Sequence, residues 1–186
     1  MKAPTFITPN TLTVTRILFI PIGVFTIFYD GGENSKFQII AWCIYFLLGL
    51  TDIADGKWAR QSNRITALGT FLDPVADKAL IGSAMISLSI LGRFPWWITF
   101  VILFREIGIT IFRLLVIKDG VIPASKGGKL KTGFQGFGVG FFMLPLPSSL
   151  DWFKYSFIGV AVILTITTGF DYLLSLIHIS EPTRPY

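Results

Sequence analysis

The sequence predicts an all-α membrane protein with six transmembrane helices, both termini cytoplasmic and a polar cavity in the cytoplasmic half. Three observations lead there: an apolar excess that one soluble core cannot hide, six separate apolar segments, and charges that enter those segments from one side. Of 186 residues, 52% are hydrophobic and 15% charged, whereas a soluble domain carries about a quarter charged residues. These figures exclude a disordered, collagen-like or disulfide-scaffold chain, and the lone Cys43 cannot form an internal bridge. The net charge of +5 fits a basic cytoplasmic face better than a nucleic-acid partner, because the basic residues alternate with apolar segments instead of forming one stripe.

The apolar segments fall at 13–28, 37–51, 70–92, 95–117, 133–150 and 153–173. The first carries Arg16 near its start and gives way to Asp30-Gly-Gly-Glu-Asn-Ser-Lys36, a turn-rich piece. The second runs into Asp52, and Lys57–Leu68 then turns the chain back. In the third, Pro74 suits the first turn of a helix with Asp73 as its N-cap, so the span breaks or begins there. The fourth opens on Trp96 and Trp97, placed as an aromatic belt at the outer interface. The fifth contains Gly133, Gly136, Gly138 and Gly140, whose expected use is close helix packing. The sixth begins beyond Pro145–Asp151. No cleavable signal or internal repeat is evident. Residues 1–173 are read as one transmembrane domain. Residues 174–186, ending Ile-His-Ile-Ser-Glu-Pro-Thr-Arg-Pro-Tyr186, resemble a translated sequencing-library adapter and are set aside as a non-native tail, His178 with them.

Lysine and arginine set the orientation. Lys2, Lys57, Arg60, Arg64, Lys118, Lys126, Lys129 and Lys131 belong to one side, and Lys36, Arg93 and Lys154 to the other. The positive-inside rule makes the first side cytoplasmic. The uncharged runs are short for spans: 13 residues from Arg16 to Asp30, 15 from Lys36 to Asp52, 14 from Lys78 to Arg93, against about 20 for a full crossing. Arg16, Asp52, Asp55, Asp73, Asp77, Lys78, Arg113 and Lys131 therefore enter the cytoplasmic half of their helices, with Arg105 and Glu106 nearer mid-depth. Charge at such depth is costly unless it faces a wet cavity or an opposite charge. A pocket open to the cytoplasm and walled by apolar helix surface suits a substrate with a charged head and a lipid tail.

Two acidic pairs dominate the polar side. Asp52 and Asp55 are three residues apart, Asp73 and Asp77 four, so each pair occupies one face of a helix. Four converging carboxylates need cations, and oxygen ligands without His or Cys select hard ions such as Mg²⁺, Mn²⁺ or Ca²⁺. Two ions sharing carboxylates are a common arrangement for phosphoryl chemistry. Gly56, Ala59 and Gly69 are small enough for close helix contact or close approach of a ligand to backbone.

The segment Asp52-Ile-Ala-Asp55-Gly56-Lys-Trp-Ala59-Arg60, followed after eight residues by Gly69-Thr-Phe-Leu-Asp73-Pro-Val-Ala-Asp77, resembles the signature of the CDP-alcohol phosphatidyltransferase family at every fixed position. The likeness extends over most of residues 8–172. It implies transfer of a phosphatidyl group from CDP-diacylglycerol to an alcohol with release of CMP. It also implies Mg²⁺ or Mn²⁺, as two ions on Asp52, Asp55, Asp73 and Asp77, with Asp77 as general base. Gly56, Ala59, Arg60 and Gly69 match positions lining the cytidine-diphosphate site, and Asn10, Thr13 and Arg16 complete its phosphate side. Arg60 offers a planar fork to phosphate oxygens.

Within the family, Pro9–Arg16, Arg105-Glu106 with Arg113, and Ser125–Thr132 resemble the branch whose acceptor is sn-glycerol 3-phosphate. Arg105, Arg113, Lys129 and Lys131, with Ser125 and Thr132 as hydrogen-bond donors, are the expected acceptor-phosphate site, Glu106 orienting Arg105. The lysines of 126–131 serve equally as contacts to anionic lipid headgroups. The resemblance further implies a homodimer in the bacterial cytoplasmic membrane, membrane lipids as partners, and no nucleic acid. Inositol phosphate, serine or phosphatidylglycerol as acceptor is the alternative within the family. Outside it, a cation transporter using the aspartates as an ion site is opposed by the one-sided charge.

Overall fold

A computed structural model of the chain describes the backbone of residues 9–61, 67–116 and 126–180, and side chains within 13–51, 72–111 and 130–170. Among the described residues there are no strands. The α-helices are α1 (Pro9–Phe28), α2 (Ser35–Gln61), α3 (Ala67–Ile90), α4 (Trp96–Val116), α5 (Lys126–Met143) and α6 (Asp151–Ser180), with single 3₁₀ turns at Tyr29–Gly32 and Ser148–Leu150. The six expected helices are present, and the all-helical fold is consistent with an all-α membrane protein.

The turns follow from local chemistry. Between α1 and α2, Asp30, Gly31 and Gly32 take φ of 54°, 66° and 80°, which glycine, and to a lesser degree aspartate, adopts at low steric cost. At the end of α3, Gly92 has φ 68°. The Arg93 amide bonds the Leu88 carbonyl at 2.9 Å and the Gly92 amide that of Ser89 at 3.0 Å, a Schellman closure that satisfies the last carbonyls of the helix. Pro145 and Pro147 follow the end of α5, where neither could supply the amide needed to extend it.

α3 is the central helix, packed against α1, α2, α4 and α5, while α5 and α6 form a close pair. Met85, Leu88, Ile102, Val139 and Ile158 fill the interior. Hydroxyl pairs stitch the helices together: Ser89 with Thr99 at 2.7 Å and Tyr45 with Ser83 at 3.0 Å. Outside, Phe104 is 83% exposed, and Leu18, Phe25, Phe100, Trp152, Ile163 and Phe170 are exposed as well. Polar side chains turned inward and large apolar ones outward suit a hydrocarbon surround, in which buried hydroxyls find partners across helices. Among the described residues, Thr13–Gly32 and Ser148–Phe170 are long and apolar enough to cross a bilayer, and Ser35–Thr51 is a shorter apolar stretch.

Several elements differ from expectation. α3 runs unbroken from Ala67 with Pro74 inside it, so Asp73 is not an N-cap. Pro74 removes one amide from the helical ladder, and Asp73 instead accepts a bond from α1. α2 continues beyond its apolar stretch through Asp52 and Asp55 to Gln61. α5 begins at Lys126 and ends at Met143, seven residues earlier at each end than the apolar run 133–150, its basic and glycine-rich first turns being helical. α6 stays helical through Ser180, into the segment set aside as a tail. Of the four glycines at 133–140, Gly138 abuts Ile158 and Gly140 abuts Trp42, whereas a side chain at Gly133 or Gly136 would meet nothing among the described residues. Trp96 and Trp97 are exposed at the start of α4, as a belt requires.

Contacts sort the bundle into two ends. Thr13, Asp73, Asp77, Lys78 and Lys131, near the starts of α1, α3 and α5, share one end with Glu106 and Thr168 from the later parts of α4 and α6. At the other end, Arg93 donates to the Gly32 carbonyl at 3.4 Å and to Gln38 Oε1 at 3.3 Å, while Gln38 donates to that same carbonyl at 2.5 Å. Lys154 pairs there with Asp151 at 2.6 Å and lies over the Phe142 ring.

A Cβ added to Gly32 would come within 2.6 Å of Leu91 Cδ1 and 3.3 Å of the Ile27 carbonyl. Gly32→Ala is expected to destabilise the protein by about 1–2 kcal/mol from the left-handed backbone alone, read as a lower unfolding temperature in detergent.

Candidate active site

The polar end is built around two features, an acidic face of α3 and a charge cluster centred on α4. Asp73 and Asp77 lie one turn apart on that helix, and their side chains remain accessible, Asp77 at 37%. The Thr13 hydroxyl, itself buried, donates to Asp73 Oδ1 at 2.6 Å. That bond ties the start of α1 to the acidic face of α3. Arg16 lies about one turn further along α1 and is 1% exposed.

The second feature is a charge cluster that joins four helices. Glu106, on α4, receives Lys131 of α5 and Arg105 Nη1 (3.1 Å) on Oε1, and Lys78 of α3 on Oε2 at 3.4 Å. Arg105 Nη2 donates to the Thr168 hydroxyl of α6 at 2.8 Å, and that hydroxyl donates to the Leu164 carbonyl at 2.5 Å. Arg105 Nε is buried without a hydrogen-bond partner among the described residues. A small cleft runs between the two features. Asp77, Lys78, Glu106, Lys131, Thr132 and Gln135 line its polar part, and Ile81, Gly82 and Leu103 its apolar floor. Gly82 keeps that floor open, since a Cβ there would meet Leu103 at 3.2 Å.

Of the residues expected from sequence, Thr13 and Asp73 meet directly, and Asp77, Lys131 and Thr132 share the cleft. Arg105 stands behind Glu106, facing α6, and is not among the cleft-lining residues. The side chains of Asn10, Asp52, Asp55, Gly56, Ala59, Arg60, Gly69, Arg113 and Lys129, and the whole of Ser125, lie outside the described residues. Whether the two aspartate pairs face each other therefore falls outside the description too. Sequence reasoning did not assign Lys78, Gln135 or Thr168 to the site. Gln135 carried a readable signal, standing one turn after Lys131 on the same face of α5. Thr168 carried none, because an apolar helix presents many such hydroxyls.

The accessible donors on α3 are carboxylate oxygens one turn apart, a set suited to hard divalent cations. No group of three or more acidic, His or Cys side chains gathers among the described residues.

Comparison with known proteins agrees with this chemistry. A model of the CDP-alcohol phosphatidyltransferase family matches residues 6–167. A probable phosphatidylglycerophosphate synthase of Mycobacterium tuberculosis is 47% identical over 164 residues, covering 88% of this chain and 78% of that protein. A CDP-diacylglycerol–glycerol-3-phosphate 3-phosphatidyltransferase of Bacillus subtilis is 36% identical over 177 residues, covering 88% and 92%. The enzyme of that name from Haemophilus influenzae is 34% identical over 171 residues, covering 89% and 90%. The chain belongs to the CDP-alcohol phosphatidyltransferase family.

Lys131→Ala strips the buried Glu106 carboxylate of its most buried cation. With Lys78 and Arg105 still in place, the expected loss of stability is about 1–3 kcal/mol, read as a lower unfolding temperature, with Lys131→Arg keeping most of it.

Proposed function

We propose that this protein transfers the phosphatidyl group of CDP-diacylglycerol to sn-glycerol 3-phosphate, forming phosphatidylglycerophosphate and CMP. The observation that carries the reading is the shared cleft: Asp77, the last aspartate of the family signature, lines the same recess as Lys78, Lys131 and Thr132. An acceptor that carries its own phosphate needs such a pairing, cations for the anion and a base for the hydroxyl. Relatives over most of the chain that bear the corresponding name support the same acceptor.

In this mechanism the acceptor phosphate lies against Lys78 and Lys131, with Thr132 as a hydrogen-bond donor. Arg113, Lys129 and Ser125 complete that pocket, and Arg105 braces it from behind. Asp77 takes the proton of the acceptor hydroxyl as its oxygen attacks the phosphorus bearing diacylglycerol. The P–O bond to CMP breaks, and CMP leaves with the electron pair. Gly56, Ala59, Arg60 and Gly69 hold the cytidine diphosphate, with Asn10, Thr13 and Arg16 on its phosphate side. Mg²⁺ or Mn²⁺, as two ions held by Asp52, Asp55, Asp73 and Asp77, supplies neutralisation of the pyrophosphate and of the departing charge when bound. Thr13 orients Asp73 for that role.

The protein acts in the bacterial cytoplasmic membrane as a homodimer, its six helices crossing the bilayer with both termini and the cleft on the cytoplasmic side. The excess of lysine and arginine on the loops of the polar end supports that orientation. The exposed apolar surface supports a lipid surround for the bundle. The lipid tails of the donor then stay in the inner leaflet while its nucleotide reaches the aspartates.

The deciding experiment offers the purified protein CDP-diacylglycerol, Mg²⁺ and a panel of acceptors. Glycerol 3-phosphate is expected to give product, and product with inositol phosphate or serine alone would overturn the choice of acceptor. Asp52→Ala, Asp55→Ala, Asp73→Ala and Asp77→Ala are each expected to lower CMP release by at least about a hundredfold while the protein still inserts in the membrane. Thr13→Val is expected to raise the divalent-ion concentration needed for half activity by about tenfold, and Thr13→Ser to restore it.

A further inference from the structure

The cluster on α3, α4 and α5 holds more charge than binding one phosphate requires. Three cations, Lys78, Arg105 and Lys131, converge on the single carboxylate of Glu106, whose side chain is only 12% exposed. Both oxygens are engaged, Oε1 by Lys131 and Arg105 and Oε2 by Lys78. Glu106 is therefore a poor candidate for taking a proton from substrate. Without it, two flexible lysines and an arginine would repel one another in a confined space, and each lysine would regain side-chain freedom. With it, the three cations are held against Glu106, and Lys78 also lies 3.8 Å from Asp77 Oδ2, so three positive charges against two negative still leave the cluster cationic beside Asp77.

We propose that Glu106 is a positioning residue for the acceptor. It holds Lys78 and Lys131 at the wall of the cleft and ties them through Arg105 to Thr168 on α6, so that an anionic acceptor meets a preset pair of cations. This rests on the reading that the acceptor carries a phosphate. Glu106 confers selectivity indirectly: an acceptor without an anionic group gains nothing from the arrangement, whereas a phosphate finds its counter-charges already ordered.

The test is a set of variants assayed for CMP release in the full-length protein, with the KM of each substrate measured separately. Glu106→Gln, which keeps the shape and removes the charge, is expected to raise the acceptor KM by about tenfold or more, the size of a charge-assisted bond. The KM for CDP-diacylglycerol is expected to move less than about twofold, because the cations that Glu106 holds are those assigned to the acceptor phosphate. Glu106→Asp should recover part of the acceptor KM. In the double variant Glu106→Gln/Lys131→Met, the two effects should fail to add, since one acts through the other.

An acceptor KM within about twofold of wild type in Glu106→Gln, an equal rise in both KM values, or full additivity in the double variant would each overturn the proposal. If Glu106→Gln does not fold, Glu106→Asp with Lys131→Met carries the same cycle under the same criteria. Failure of the acceptor reading is distinguishable: a wild-type protein that uses inositol phosphate instead allows the cycle to be run on that acceptor. Transfer only to acceptors lacking phosphate overturns both.

Discussion

Charge buried inside an apolar-faced bundle has to be answered from within the bundle, and that requirement organises the polar end of this protein. Little of Lys131 or Glu106 is open to water, so cations from α3, α4 and α5 gather on one carboxylate. The same requirement turns the Thr13 hydroxyl toward Asp73 and Arg105 toward Thr168. Apart from the Arg105–Glu106 pair within α4, each of these contacts joins two helices that apolar packing would hold together only loosely, since lipid is as good a neighbour for leucine as another helix is. The interactions that make the site are thus also among those that fix the helices relative to each other.

The two ends of the bundle answer the requirement differently. Opposite the site, Arg93 is met by a backbone carbonyl and the neutral amide of Gln38, and Gln38 closes the triangle onto the same carbonyl. That arrangement locks the turn after α1 to the turn after α3. At the site, the partners are side chains with full charges, next to a cleft and accessible carboxylates. A full charge can be shared with an incoming anion or cation, whereas a hydrogen bond to a fixed carbonyl cannot be redistributed without moving the chain. The exchangeable charges therefore converge at the cleft end, while the far end is closed by hydrogen bonds to backbone.

Much of this was legible in the residues. The apolar runs marked all six helices, because hydrocarbon-facing segments need continuous apolar length. The aspartate spacing marked the acidic face, because three- and four-residue intervals recur on one side of a helix. What misled was local. Pro74 reads as a helix start, yet α3 extends a further seven residues toward its beginning, because a helix packed on several neighbours tolerates the loss of one amide. The basic and glycine-rich start of α5 reads as loop, yet it is helical, and this places Lys131 and Gln135 one turn apart against α3 and α4. Gly138 and Gly140 serve packing, and Gly133 meets nothing among the described residues, a distinction that depends on which side of α5 meets α2 and α6.

The sequence by itself determined the all-helical class, the family and the identity of the acidic residues, because hydropathy, residue spacing and a long fixed motif are properties of the chain read in order. Only the tertiary structure decided which charges answer each other. Lys78, Glu106 and Lys131 are 28 and 25 residues apart along the chain, and no local pattern relates them. Their meeting depends on how three helices are offset and rotated in the bundle, and it sets Arg105 behind the cleft while bringing Lys78 to its wall.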